Sequence, residues 1–323
     1  MHSINELQQI INTAIANAQY PPAPKELYEP INYLMNIGGK RMRPVLVLMA
    51  CDMFSDTIER AINPALAIEV FHNFTLMHDD IMDNAPLRRN MPTVHIKWSS
   101  SAAILSGDVM LIEAYKLMMH VQPVILSEIL TIFNDTAVGV CEGQQIDMNF
   151  EKLDQVKVDE YLNMIRLKTA VLLGGALKIG ARIGNSTVED AENLYNFGVN
   201  MGIAFQLQDD ILDVYGDPEK FGKQVGGDII SNKKTFMLIK AKELAYGETE
   251  KNLTNWLNNV HDSAEKVSEV TKIYDLLDVK QLAENEMARY AKTALDCIAK
   301  VNVQESKKEI LKSFAEGLLV REH

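Results

Sequence analysis

Apolar residues recur at three- and four-residue spacing from one end of this chain to the other, while strict apolar/polar alternation is scarce. That period belongs to helices that bury one face, so the pattern predicts an all-α protein. The punctuation agrees. Asn63 and Pro64 read as an N-cap and a first-turn proline, opening an apolar helix through Asp83, and Asn84 to Pro86 stop it. Gly184 ends another helix, and Ser186 with Glu189 has the spacing of a capping box. The run YNFGVNMGIAFQLQDDILDVY then reads as a long helix halted by Gly216 and Pro218. TAVLLGGALKIGARIG is apolar, but Lys178 and Arg182 interrupt it, so a buried core helix is expected there. From about residue 241 onward the helices are amphipathic and charged. No linker, low-complexity tract or short repeat divides residues 1–323, which read as one domain.

Composition narrows the function. With 24% charged and 47% hydrophobic residues the mix is that of a globular protein, and sixteen methionines are most simply core filler. A net charge of −12 argues against DNA or RNA as partner, because a phosphate backbone needs a basic face. The three cysteines, Cys51, Cys141 and Cys297, are widely spaced and suit reduced thiols. The first residues lack the features of a signal peptide, and no uncharged apolar run reaches the ~18 residues of a membrane span. A cytoplasmic protein without a transmembrane segment is expected.

The chemistry concentrates in two acidic clusters. LMHDDIMDN places Asp79, Asp80 and Asp83 in an apolar run, and QLQDDILDV repeats the spacing with Asp209, Asp210 and Asp213. Residues four apart share a helix face, so Asp79 and Asp83 repel unless something positive lies between them. If the two helices face each other, the carboxylates line one cavity and suit Mg2+, which takes a few hard oxygen ligands plus water and phosphate oxygens. Around them stand cations: Lys40, Arg41 and Arg43 in GGKRMRP beside Gly38 and Gly39, Arg88 and Arg89 in LRRN, Lys168 in RLKTA, and Lys223, Lys233 and Lys234 farther on. Singly, each reads as surface charge. Together with two metal-ready clusters they describe a pocket for more than one diphosphate.

In these residues the chain resembles the trans-isoprenyl diphosphate synthases, or polyprenyl synthetases, most strongly over residues 34–240. The resemblance implies an antiparallel helical bundle around a central cavity, usually homodimeric, with Mg2+ as cofactor, about three ions once substrate is bound. It implies that Asp79, Asp80 and Asp83, and Asp209, Asp210 and Asp213, hold metal against an allylic diphosphate, with Asp209 a direct ligand. Arg88, Lys168 and Lys233 correspond to allylic diphosphate contacts, Thr169 and Gln206 to groups near the reacting carbons, and Asp147 to a supporting carboxylate. Lys40, Arg43, Arg89 and His72 correspond to the isopentenyl diphosphate site. Without that context His72 reads as a core histidine. The segment from Gly222 to Lys234 is the expected lid over an apolar cavity that excludes water.

Product length is expected to depend on Phe74 and Thr75, about 6 to 7.5 Å of helical rise before Asp79. The family likeness favours a short chain, geranylgeranyl slightly ahead of farnesyl; helix phase alone puts Thr75 and Phe71 on the Asp79 face. A terpene cyclase is one rival reading, though cyclases have no need of an isopentenyl site. A non-catalytic partner subunit is the other, and it would tolerate loss of one acidic cluster.

Overall fold

The computed structural model describes residues 1–217, 225–259 and 262–319. In chain order, α1 (Ile4–Asn17), α2 (Lys25–Asn36), α3 (Met42–Phe54) and α4 (Glu59–Met82) lead to a short hairpin, β1 (Leu87–Arg88) and β2 (Met91–Pro92). Then follow α5 (Val94–Lys97), α6 (Ser100–Met118) and the long α7 (Pro123–Glu151). Helix α8 (Val158–Ile165) continues through a π-helical turn at Arg166–Ala170 into α9 (Val171–Ile183), and α10 (Val188–Tyr215) comes next. The rest is α11 (Gly227–Ile230), α12 (Phe236–Leu244), α13 (Gly247–Asn258), α14 (Ser263–Leu276), α15 (Val279–Ala299) and α16 (Glu305–Leu319). The fold class is all-α, as the periodicity predicts.

Two compact units emerge. The first is Met1–Asn134 with Gly175–Leu194 and Asn302–Ile310; the second is Asp135–Gly174 with Tyr195–Val301 and Leu311–His323. In the first, α4 packs on α3 and α6, α2 lies on α6, and α1 on α3. Helix α3 is apolar all round, and Val45, Val47, Leu48, Met49 and Ala50 are wholly buried, as befits a core helix. Each large side chain so buried contributes roughly 1.5–3 kcal/mol. In the second unit Tyr161, Leu162, Ile165, Leu207, Phe236 and Tyr274 belong to one core.

Two readings of the sequence need correction. Helix α4 starts at Glu59, five residues before Pro64, which sits inside it. Ile58 and Ala61 are buried and draw the extra turn into the core. The α10 cap lies one residue later than Ser186 and Glu189 suggest: Thr187 Oγ1 accepts from the Asp190 amide at 3.0 Å and donates to Asp190 Oδ2 at 2.7 Å. Helix α7 is, by length and composition, apolar enough to cross a membrane. Its charges Glu128 and Asp135 break any uncharged run, and Glu128 accepts from Arg182. The expected core helix 171–183 is buried along most of its length, and α10 ends beside Gly216 as read; Pro218 lies outside the described residues.

Candidate active site

Asp79, Asp80 and Asp83 occupy the carboxyl-terminal end of α4, with Asp83 as its cap. The carbonyl end of a helix carries partial negative charge, so three carboxylates there demand cations. Asp80, 2% exposed, is answered inside the protein: Arg88 Nε and Nη2 fork onto both its oxygens at 2.7 to 3.0 Å. Asp79 is half-buried and Asp83 exposed. The hairpin separates the paired arginines. Arg89 and Asn90 take φ of 52° and 62°, the two left-handed positions of a type I′ turn, so Arg88 reaches Asp80 while Arg89 reaches Gly39. A Cβ on Gly39, itself at φ 142°, would stand 2.5 Å from Arg89 Nη1. Only glycine admits that approach.

One face of α4 gathers basic groups. Positions 69, 72, 73 and 80 share it at spacings of three, four and eleven, and His72 meets Arg43 Nη1 at 3.1 Å. Arginine is only a donor, so His72 Nε2 accepts, the proton resides on Nδ1, and the ring is neutral. Burial holds the His72 pKa well below the usual histidine range, and Arg43, Arg89, Arg88 and Arg41 push the same way. Burial also lowers Arg43 to about 10, Glu69 opposing and Arg89 assisting. Lys40 is exposed, one residue after Gly39.

The neutral ring has a measurable consequence. The unfolded chain takes up a proton on this histidine below about pH 6.5, whereas the folded chain resists it. The unfolded state therefore binds more protons, and stability falls as pH drops through that region, by at most ~1.4 kcal/mol per pH unit. His72→Gln is expected to remove this share. Urea midpoints near pH 7.5 and 5.5 should converge in the variant relative to the parent; an unchanged difference would assign the loss to other groups.

In the second unit, Asp209, Asp210 and Asp213 lie in the last two turns of α10, again at a carbonyl end. Asp210 is buried and accepts from the Tyr161 hydroxyl and, at 3.3 Å, from the Phe236 amide that opens α12. Burial pushes the Asp210 carboxyl up to about 7 despite the Tyr161 hydrogen bond. Asp213 Oδ2 accepts from the Asp228 amide at 2.9 Å, and Asp209 is half-buried. Lys168 Nζ donates to Asp147 at 2.6 Å, and Thr169 Oγ1 stands 3.5 Å from Gln206 Oε1. Lys233 lies 3.8 Å from Asp228; desolvation lowers its pKa, but Asp228, Asp210, Asp147 and Asp213 more than offset this and hold it raised. Lys168 and Thr169 share the π-helical turn, whose wider winding breaks α register and so re-aims both side chains.

Periodicity gave no hint of that turn or of what accommodates it. A Cβ on Gly143 would stand 2.2 Å from the Lys168 amide nitrogen, and one on Gly202 would stand 2.6 Å from Ala170 Cα. The two glycines admit the bulge. Tyr161, the partner of Asp210, was likewise missed, since a tyrosine in an amphipathic helix signals only burial.

The residues upstream of Asp79 form an aromatic stack. Phe74 lies 4.7 Å from His78 and 5.7 Å from Phe71, Phe71 lies 5.3 Å from Phe133, and Phe133 lies 5.1 Å from Tyr115, centroid to centroid. Thr75 Oγ1 donates to the His72 carbonyl at 2.7 Å. Phe133 and Tyr115, on α7 and α6, were not among the expected residues.

Gly222 and Lys223, in the expected lid, lie outside the described residues. Among the described residues no three His, Cys, Asp or Glu side chains form a group able to hold a metal ion. The donor set is nonetheless all carboxylate oxygen, the chemistry that Mg2+ accepts when waters and phosphate oxygens complete its shell.

Residues 24–277 match the polyprenyl synthetase family. The chain is 38% identical over 305 residues to a geranylgeranyl diphosphate synthase of Sulfolobus acidocaldarius, covering 92% of this chain and 91% of that one. It is 36% identical over 259 residues to a geranylfarnesyl diphosphate synthase of Natronomonas pharaonis, covering 75% and 76%. The crystal structure of a geranylgeranyl pyrophosphate synthetase from Pyrococcus horikoshii Ot3 has a TM-score of 0.92 to this chain at 32% identity, covering 98% and 97%.

Proposed function

The chain belongs to the polyprenyl synthetase family, and from that premise we propose that this trans-prenyltransferase joins isopentenyl diphosphate head to tail to allylic diphosphates in the presence of Mg2+. The product is a short prenyl diphosphate, geranylgeranyl ahead of farnesyl, and the protein acts as one domain in the cytoplasm. The observation that carries the reading is helix α4, which ends in a carboxylate triplet and whose His72 and Asp80 meet Arg43 and Arg88. Terpene cyclisation gives no reason for the Lys40, Arg43 and His72 group.

Asp79 and Asp83 would hold magnesium against the allylic diphosphate, and Asp209 of the second triplet is assigned a direct metal-ligand role as well. When bound, the metal supplies Lewis-acid stabilisation of the departing diphosphate. Asp80 keeps Arg88 extended, and Asp210, tied to Tyr161, anchors the start of α12. Lys168, steadied by Asp147, and Lys233 stabilise negative charge that grows on the leaving group. Thr169 and Gln206 offer oxygen dipoles that favour a carbocation without capturing it. Lys40, Arg43 and Arg89 grip the diphosphate of isopentenyl diphosphate, with neutral His72 holding Arg43 in place. No side-chain nucleophile enters the reaction.

Labelled isopentenyl diphosphate, offered with dimethylallyl, geranyl or farnesyl diphosphate, tests this directly. Linear labelled alcohols of mainly twenty carbons are expected after dephosphorylation, and none with excess EDTA. Cyclic hydrocarbons, or no turnover in Mg2+, would reject the reading.

Product length is assigned to the aromatic stack below Asp79. Phe74→Ala removes its uppermost ring and is expected to move the main product at least one isoprene unit longer, read by chromatography of the alcohols. An unchanged profile would shift the stop to Phe71 and Phe133. A homodimer is also proposed. Leu105 and Ile112 on α6, with Met119 at its carboxyl-terminal cap, recur every seven residues and stand 58%, 55% and 60% exposed, an apolar stripe suited to a second copy. Ile112→Asp should convert a dimer to a monomer in light scattering after gel filtration.

A further inference from the structure

One cation of GGKRMRP turns away from the basic cluster. Arg41 has left-handed backbone, φ 50°, and its side chain runs inward. There Nη1 donates to Glu69 Oε1 and Nη2 to the Met35 carbonyl, both at 2.6 Å. Asn73 completes the network, its Nδ2 donating to Glu69 Oε1 at 3.1 Å and to the Glu69 carbonyl at 2.8 Å. Both charged side chains are 5% exposed.

Stability is a poor account of this arrangement. Two ions so deeply buried lose their hydration, and well-packed apolar side chains in the same space commonly serve as well or better. The network is also unsaturated, since Arg41 Nε and Asn73 Oδ1 are buried without a hydrogen-bond partner.

Its geometry is more telling. The Arg41 guanidinium reaches back to Met35 near the end of α2 and across to Glu69 on α4, and so ties the α2–α3 turn at two points. That turn contains Gly38 and Gly39 at φ 94° and 142°, conformations that resist little by themselves. Lys40 precedes Arg41 directly, and Arg43 follows it in the first turn of α3. Glu69 stands one turn before His72, which receives Arg43, so the same face of α4 sets both. Glu69 is also the acid whose field opposes the repulsion of Arg43 by Arg89.

We propose that Arg41, Glu69 and Asn73 are positioning residues for the isopentenyl diphosphate site, a buried strut that fixes Lys40 and Arg43 at the spacing of that diphosphate. The inference rests on the reading that Lys40 and Arg43 bind it. A loop held to within fractions of an ångström saves the ordering cost of each binding event. Loosening the strut should therefore weaken one substrate and spare the other.

The test is the double variant Arg41→Met with Glu69→Met, which replaces the pair by apolar side chains of similar reach. It is expected to keep parental far-UV helicity and a melting temperature within a few degrees. Its KM for isopentenyl diphosphate should rise about tenfold or more while KM for the allylic diphosphate stays within about twofold, a split of ~1.4 kcal/mol. Arg41→Lys, which can still reach Glu69, should show a smaller rise. A folded double variant with parental KM for isopentenyl diphosphate, or with both KM values raised equally, would overturn the proposal. Should the double variant not fold, Asn73→Ala decides by calorimetric titration with isopentenyl diphosphate: weakened binding supports the strut, parental affinity refutes it. An active parent with no such effect removes this inference alone; a parent without prenyl transfer removes the reading beneath it as well.

Discussion

Asp79→Ala is expected to lower kcat/KM by about a thousandfold or more, a loss of at least ~4 kcal/mol of transition-state stabilisation, and to leave the helical fold intact. The two halves of that expectation have one cause. Asp79 stands at the carbonyl end of α4 beside Asp80 and Asp83, where its charge opposes both its neighbours and the helix dipole. On the proposed reading the cation it serves is substrate-bound magnesium, so the loss falls on the reaction rather than on the fold. Steady-state rates in Mg2+ with a parallel thermal melt check both halves. A near-parental rate would make Asp79 ordinary surface charge, and a variant that melts far below the parent would make it a structural group.

Gly143→Ala should be the second most damaging change. Its Cβ would arrive 2.2 Å from the Lys168 amide nitrogen and 2.6 Å from Lys168 Cα, and these are main-chain atoms that cannot rotate aside. Relief requires α7 or the π-helical turn to shift by about an ångström. Overpacking of this kind commonly costs ~1–3 kcal/mol, and a displacement of that size at a catalytic group commonly costs ~100-fold in rate. Lys168 and Thr169 are the groups displaced. The expected signature is a hundredfold lower kcat with helicity retained and the melting point depressed by several degrees. Full activity in a folded variant would mean that the turn tolerates movement and that Lys168 needs no exact register.

Much of this was legible beforehand because the informative residues are chemically costly. Asp79 and Asp83, Asp209 and Asp213 interrupt apolar helices, so the pattern itself marks them, and all-α periodicity survives almost any error in helix boundaries. The supporting residues were silent for the opposite reason. Tyr161, Phe133 and Gly143 conform to their helices, and their roles arise only from what packs against them in three dimensions. Arg41 was misleading in a different way: it reads as one more phosphate-facing cation, and only its backbone, at φ 50°, reveals that it points into the core. Boundaries also slipped where local signals compete, as at Ser186, where Thr187 one position later makes the cap.

Gly107 carries a consequence for tuning the enzyme. A methyl there would land 2.2 Å from the His78 ring nitrogen, and that imidazole leans on Phe74. Unlike the backbone beside Gly143, a ring can swing, so the intrusion would be passed on like a doorstop nudged under a hinge, pressing the aromatic plug inward. On the proposal that this stack limits the product, Gly107→Ala is expected to shorten it from a position one residue removed from the stack itself.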